Sequence, residues 1–260
     1  MPISFTPISY EDDWSGSSWT IDDEDNLSSL IAHIALGQSR SVEKILKETG
    51  SNFPNTLGSA ITGARGLLTR KSAEDPYHRD GWLFQIISWI AARKQNTEAI
   101  IRAPHMNHAH KGLDGLIVEM SDNKVDYVVI CEEKATENPR KKIIEQVWPE
   151  FEQFENGERD HELVEIVTSL IDRHNPEYCD EIIEKVLWDQ QRAFRISVTG
   201  SSQHQTDKAK KALFKGYATT ISGDPGKRRA EILIIDNLRD WMEKISQAAL
   251  QKLDVEIQNV

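Results

Sequence analysis

Apolar residues recur at helical spacing over several segments of the chain. The segment 79–94, RDGWLFQIISWIAARK, places Trp82, Ile86, Trp89 and Ile90 on one face, which predicts a helix that packs against a core. Helices are also predicted for 22–36, which opens with an acidic first turn, and for 40–49, 57–69 and 139–154. Residues 1–75 are therefore expected to form a helical N-terminal region.

Strand patterns occupy the middle and the C-terminal part of the chain. Two runs rich in Val, Ile and Leu flank SDNK at 121–124, which is a turn signal, so a hairpin is predicted. Shorter strands are predicted at AIIRA, AFRISVTG and AEILIID, and helices at TDKAKKALFKGYATTI and NLRDWMEKISQAALQKL. The order predicts a single α/β domain, a mixed sheet flanked by helices, with a core at 76–156, a helical insertion at 157–192 and the rest of the core at 193–260.

Charge and composition limit the classes of function. The 260 residues can bury a sizeable core, and 31 Lys and Arg against 42 Asp and Glu give a net charge of -11. That balance disfavours non-specific binding of nucleic acid by the whole chain, although it leaves room for a local basic groove. The two cysteines suggest no disulfide framework and no run is apolar enough for a membrane span, so a soluble protein of the reducing cytoplasm is expected.

The predicted hairpin places charged residues at the tips of its strands. If the turn is centred on Asn123, antiparallel partners have residue numbers that sum to twice 123, that is 246. The expected pairs are Asp114 with Glu132, Leu116 with Ile130, Val118 with Val128 and Met120 with Asp126. Because side chains alternate between the faces of a strand, Glu132 and Lys134 should lie on the side of Asp114, with Glu133 pointing away.

Two carboxylates facing each other across a hairpin need a cation. Their Cβ atoms would lie about 5 Å apart, so Asp114 and Glu132 would repel each other unless a positive charge lies between them. Mg²⁺ or Mn²⁺ would fit, with the carbonyl of Glu133 as a third ligand. Lys134 could orient or help to deprotonate an attacking water and offset charge on a phosphate, which suits phosphodiester hydrolysis. The alternative is an exposed ion pair at a strand end, worth less than about 1 kcal/mol.

These residues resemble the PD-(D/E)XK nuclease superfamily, which has the restriction-endonuclease-like fold. GLDG and EEK match its motif as Asp114, Glu132 and Lys134, and the resemblance covers roughly residues 78–155. It implies a Mg²⁺-dependent nuclease acting on DNA, with Asp114 and Glu132 as metal ligands. The core at 76–156 is accordingly expected to be a nuclease core.

Two glutamines occupy further positions of that family's pattern. Many members carry a glutamate on the helix before the first core strand, where this chain has Gln85, with Asp80 nearby, and the departure weakens the case for a second metal. Several lineages carry a glutamine on the helix after the lysine, and Gln146 fits that place. An exposed helical glutamine without a catalytic role is the alternative for Gln146.

A narrower resemblance is to the nuclease subunit of the bacterial Hachiman anti-phage defence system. The size, the HKGLDGLIVE segment before the acid-x-Lys strand, and the closing strand and helix carry it. It implies a helicase partner that holds the nuclease inactive until DNA is sensed, and the acidic surface would dock a basic partner. The alternative is a nuclease-fold subunit with weak or no catalysis that acts in regulation or protein interaction, which Gln85 in place of an acid favours.

Basic residues near the hairpin are candidate contacts to DNA. His110 is the best candidate of the histidines in HMNHAH, and Lys111 follows it; polar loop histidines are the alternative. Arg140, Lys141 and Lys142 begin a helix, where cations oppose the helix dipole, so contact with phosphates or a solvated face would explain them. A second basic cluster comprises Lys208, Lys210, Lys211, Lys215, Lys227, Arg228 and Arg229.

Overall fold

The structure is a computed structural model that describes residues 2–50, 53, 58–70, 72, 76–108, 112–121, 124–171, 180, 183–184 and 191–258. Its strands are β1 (Ile3–Tyr10), β2 (Trp14–Ile21), β3 (Ile100–Ile101), β4 (Gly115–Ser121), β5 (Lys124–Lys134), β6 (Arg192–Gly200) and β7 (Arg228–Ile234). They form a seven-stranded sheet in the order β1-β2-β7-β6-β5-β4-β3. The pairs β1–β2, β3–β4 and β4–β5 are antiparallel, and β2–β7, β7–β6 and β6–β5 are parallel, so the sheet is mixed.

Helices cover both faces of this sheet. They are α1 (Glu24–Ala35), α2 (Ser39–Leu46), α3 (Gly58–Leu68), α4 (Tyr77–Gln95), α5 (Pro139–Lys142), α6 (Trp148–Glu155), α7 (Asp160–Ile171), α8 (Asp207–Phe214), α9 (Tyr217–Thr220) and α10 (Leu238–Gln258). One hydrophobic core joins the sheet to α1–α4 and α10, and a second joins its other face to α6–α9. The predicted α/β fold, a mixed sheet flanked by helices, is confirmed.

The N-terminal hairpin corrects one prediction. A helical N-terminal region is wrong for residues 3–21, which form β1 and β2, although α1, α2 and α3 lie close to their predicted positions. Trp14 and Trp19 are buried in different cores, and the buried Ser17 satisfies its hydroxyl by donating to Glu231. Gly16 has no room for a Cβ, which would clash with the backbone of Ala230 on β7. The buried positions of β2 are Trp14, Ser17 and Trp19, which do not alternate strictly, so apolar alternation does not reveal this strand.

The helical segments after the central hairpin are close to those predicted. The predicted helix 139–154 is present as α5 and α6 joined by a π-helical turn over Ile143–Val147, a feature often found near functional sites. Of the predicted insertion, α7 is helical, and the remainder lies largely outside the described residues. Across the described ranges, no helix combines the length and the apolar character needed to cross a membrane.

Candidate functional site

The β4–β5 hairpin has the predicted register over most of its length. Leu116 pairs with Ile130 and Val118 with Val128, as expected from the sum of 246. Met120 does not pair with Asp126 as predicted; it pairs with Val125 because a bulge interrupts the ladder after Glu119. The bulge buries Val125 in the second core and lets Asp126 accept a hydrogen bond from Ser121 at 2.8 Å. The slip is confined to the turn end, so the opposite end keeps its predicted alignment.

Three charged side chains meet at that opposite end. The ladder ends at Gly115 with Cys131, and Asp114 and Glu132 lie one residue beyond this pair. Lys134 Nζ donates to Glu132 Oε2 at 2.7 Å and to Asp114 Oδ2 at 3.4 Å. The structure thus brings together Asp114, Glu132 and Lys134, with one ammonium shared by two carboxylates.

The carboxyl group of Glu132 is buried and incompletely paired. Its side chain is only 1% exposed, whereas those of Asp114 and Lys134 are 15% and 21% exposed. Burial raises the pKa of Glu132 well above its usual range, and the nearby charge of Asp114 raises it further, against the opposing effect of Lys134. Within the described part of the chain, Glu132 Oε1 has no hydrogen-bond partner. A buried carboxylate oxygen without a donor is costly, so this atom is a candidate cation ligand.

The ammonium of Lys134 is held in its charged form. Burial opposes that charge, but Glu132 and Asp114 outweigh it and raise the pKa of Lys134 above its ordinary value. An amine with a raised pKa is a poor proton acceptor, so Lys134 is suited to donating hydrogen bonds to an oxygen anion. The lysine would accept a proton only if a second cation reduced the negative field of the two carboxylates.

Glu133 projects from the opposite face of β5, as predicted. Ser88 Oγ donates to its Oε1 at 3.0 Å, and Arg195 Nη1 lies 3.8 Å from the same oxygen. Burial, with the charge of Asp114, raises the pKa of Glu133 to about 7. Its backbone N–H donates to Asp114 Oδ2 at 3.1 Å. The main chain of Glu133 therefore lies at the site while its carboxylate belongs to the α4 side of the sheet.

Gln85 reaches the site from α4. Its side-chain Nε2 donates to Asp114 Oδ1 at 2.5 Å, so the amide orients the aspartate. Asp80 lies on the same helix but is fully buried, where it accepts from Arg79 at 2.6 Å and from Arg239 at 2.5 Å. Asp80 therefore has a structural role, and only the glutamine of this pair contacts the hairpin acids.

Gln146 and its helix make a different contribution from the one predicted. Gln146 is exposed within the π-helical turn, and no hydrogen bond joins it to the three hairpin residues. Glu150, four residues later on α6, acts on the site instead, since its charge contributes to raising the pKa values of Glu132 and Lys134. Sequence reasoning missed Glu150. The spacing of four residues from Gln146, one helical turn, is the signal that could have identified it.

The predicted DNA contacts are only partly free to serve that role. Arg140 donates to the backbone oxygens of Leu213 and Lys215 at 2.9 and 2.7 Å, so it caps the end of α8. Lys141 is 69% exposed and lies 4.0 Å from Glu145, and Lys142 is half-buried. Both lysines remain candidates for contacts to phosphate.

Other basic candidates are dispersed or already paired. His110 and Lys111 lie outside the described residues. In the second cluster, Lys210 donates to the Gln205 carbonyl at 2.7 Å, and Arg229 makes a bidentate pair with Glu119 at 2.6 and 2.7 Å. Arg228 is buried and donates to the carbonyls of Gly223 and Asp12 at 2.8 and 2.9 Å, and Lys211 donates to the Tyr10 hydroxyl.

The carboxyl groups at the hairpin are candidate ligands for a hard divalent ion that takes few protein ligands. Among the described residues no group of three or more His, Cys, Asp or Glu side chains is arranged to hold a metal ion. Asp114 and Glu132 supply two carboxyl groups, and Glu132 Oε1 lacks a hydrogen-bond partner within the ranges that the structure describes. Mg²⁺ is commonly bound by one or two carboxylates together with water and substrate phosphate, so the residues present fit it.

Comparisons of the chain with protein-family models, with curated proteins and with solved structures return no match.

Proposed function

We propose that the chain is a metal-dependent nuclease that hydrolyses phosphodiester bonds in DNA with Mg²⁺ or Mn²⁺. One observation carries the proposal: Glu132 is almost wholly buried, has one carboxylate oxygen without a hydrogen-bond partner among the described residues, and shares the ammonium of Lys134 with Asp114. Folding does not ordinarily leave a buried acid in this state, and perturbed pKa values with a specific charge partner are typical of functional sites.

Each residue of the site has a distinct task in this proposal. Asp114 and Glu132 would hold the ion, with the Glu133 carbonyl as a further ligand, and the bound ion would supply Lewis-acid activation of the phosphate. Lys134 donates hydrogen bonds to the phosphate oxygens on which negative charge develops, and it orients the attacking water. Gln85 donates to Asp114 Oδ1 and so keeps the second oxygen of Asp114 directed toward Lys134.

Cleavage of plasmid DNA by the purified full-length chain tests this proposal. We expect nicking or degradation in Mg²⁺ or Mn²⁺ that stops with a chelator, and a fall of about 100-fold or more for Lys134→Ala, in line with the loss of a group that acts in the transition state. Lys244→Ala is the matched control because Lys244 is exposed on α10 and pairs with Glu24, away from the hairpin. Equal cleavage by the wild type and Lys134→Ala would overturn the assignment.

A second candidate function is a nuclease-fold subunit with weak or no catalysis that acts through protein interaction. The observation that favours it is the ammonium of Lys134 already lying between the two carboxylates, with Gln85 where an acid would strengthen cation binding. Failure to cleave duplex DNA, single-stranded DNA and RNA with any divalent ion, combined with tight binding of a protein partner, would select this candidate.

We also propose a biological setting: an effector of bacterial anti-phage defence in the cytoplasm, restrained by a helicase-type partner. The net charge of -11 supports docking of a basic partner and limits binding of DNA by the isolated chain. A helicase gene adjacent to the gene for this chain, and suppression of cleavage by its product, are the expected results. Unrestrained cleavage in the presence of that helicase would contradict the setting.

A further inference from the structure

The backbone of Leu113, the residue that immediately precedes Asp114, is held by hydrogen bonds at both its N–H and its carbonyl. Its N–H donates to Glu162 Oε1 at 3.1 Å, and its carbonyl accepts from Arg102 Nη1 at 3.4 Å. The Leu113 side chain is fully buried in the second core. Because Asp114 lies beyond the last ladder pair, these bonds add to the restraint that the Glu133 N–H on β5 places on the aspartate.

Glu162 is in turn fixed by Arg159. The Arg159 Nε and Nη2 atoms donate to Glu162 Oε2 at 2.8 and 2.6 Å, which leaves Oε1 for the Leu113 N–H. Arg159 Nη1 donates to Glu150 on α6 at 2.7 Å, and the guanidinium lies 4.2 Å from the centre of the Phe154 ring. A single arginine therefore ties α6 and α7 to the segment that carries Asp114.

Electrostatics reinforces the same arrangement. Burial lowers the pKa of Arg102, and the negative charges of Glu162 and Glu165 oppose that effect. Glu162 thus pairs with one guanidinium through hydrogen bonds and acts through space on another. The Glu162 carboxylate therefore interacts with Arg159, with Arg102 and with the Leu113 N–H. A neutral side chain at this position would lose the charge interactions with the two arginines.

We infer that Glu162, oriented by Arg159, is a positioning residue for Asp114, so that the helical insertion forms part of the nuclease site. This inference rests on the proposed function. Its physical basis is that catalytic groups must keep their geometry closely: a displacement of about 1 Å can cost about 100-fold in rate. The insertion helix α7 reaches the backbone of Leu113, the residue before Asp114, through the side chain of Glu162. A shift of α7 would therefore move the segment that carries Asp114 relative to Glu132.

The test compares Glu162→Ala, Glu162→Gln and the control Glu165→Gln in the full-length chain. Glu165 lies on the same helix, is exposed, and also acts on Arg102, but it makes no hydrogen bond to Leu113 in the described contacts. Two quantities are measured: the Mg²⁺ concentration for half-maximal cleavage, and hydrogen exchange of the Leu113 amide.

We expect Glu162→Ala to need about tenfold more Mg²⁺ and to exchange the Leu113 amide about tenfold faster, since losing one such bond is worth about 1.4 kcal/mol. For Glu162→Gln, both the Mg²⁺ requirement and the exchange rate should lie between those of the wild type and Glu162→Ala, because the amide oxygen can still accept from the Leu113 N–H. Glu165→Gln should match the wild type in both measurements.

The outcomes separate failure of this inference from failure of the proposed function. A wild type that cleaves nothing refutes the nuclease, and the exchange measurement alone then decides whether Glu162 holds the segment. Unchanged exchange in Glu162→Ala overturns the inference, as does faster exchange with an unchanged Mg²⁺ requirement in an active enzyme. If Glu162→Ala fails to fold, Glu162→Gln decides. A higher Mg²⁺ requirement together with faster exchange of the Leu113 amide supports the inference, and no change in either quantity contradicts it.

Discussion

Two buried acids on either side of this sheet illustrate how a structural carboxylate differs from a candidate functional one. Asp80 accepts hydrogen bonds from two guanidinium groups, those of Arg79 and Arg239, and both of its oxygens are paired. Glu132 has one ammonium, which it shares with Asp114, and one oxygen without a partner among the described residues. The first arrangement offsets the cost of burying charge, and the second leaves it in place. Incomplete pairing together with a shared ammonium therefore distinguishes Glu132 from Asp80 better than burial does.

The largest expected effect is on stability. Asp80→Ala should lower the free energy of unfolding by about 3–5 kcal/mol. The reason is that the buried guanidinium of Arg79 loses Asp80 as a partner and retains Glu243. Glu132→Gln should stay within about 1 kcal/mol of the wild type or stabilise the fold, since burial and the charge of Asp114 already raise the pKa of Glu132 and disfavour its charged form. Urea unfolding at neutral pH measures both. Similar losses for the two variants would show that Glu132 is an ordinary structural acid.

The fold could be predicted where side-chain pattern and turn chemistry agree. Val, Ile and Leu on both sides of SDNK fixed the hairpin and the alignment of Leu116 with Ile130. The bulge after Glu119 could not be predicted because it depends on burying Val125 in a core formed by distant helices. The β1–β2 hairpin was missed because its buried Ser17 is stabilised by Glu231, more than 200 residues away in the sequence.

A smaller effect concerns pH. The folded chain raises the pKa of Glu133 from an ordinary 4.5 to about 7, so between these values the native state binds more protons than the unfolded chain. The free energy of unfolding that this group contributes should fall as pH rises through that window, by on the order of 3 kcal/mol. The pKa of Glu132 is raised in the same direction. The pKa values of Glu24 and Glu243 are lowered, so their contribution to the free energy of unfolding is lost only as pH falls below about 4.5.

Unfolding of the wild type and Glu133→Gln between pH 5 and pH 7.5 measures this slope, a range chosen around the raised pKa value. We expect the stability of the wild type to decline toward pH 7.5 relative to the variant. A difference between the two proteins that does not change with pH would mean that Glu133 ionises normally in the folded state.

The candidate site was predictable only in its local part. Alternation along one hairpin brought Asp114, Glu132 and Lys134 together, because cross-strand neighbours follow from register. Glu150 and Glu162 come from α6 and the insertion, and the contact of Glu162 with Leu113 spans 49 residues of sequence. Such contacts depend on helix packing, which periodicity does not determine. The basic residue Arg140 was misread for a similar reason, since its partners are carbonyls at the end of α8.

Binding of a divalent ion tests the central claim most directly, because it asks whether the unpaired oxygen of Glu132 belongs to a cation site. Calorimetric titration of the full-length chain with Mn²⁺ is the measurement, and Glu133→Gln is the control because it changes the neighbouring side chain on the other face of β5 and keeps the backbone carbonyl. We predict one site in the wild type, at least about tenfold weaker binding for Glu132→Gln, and binding by Glu133→Gln close to that of the wild type. Equal affinity for the wild type and Glu132→Gln, or no binding by the wild type, would contradict the account.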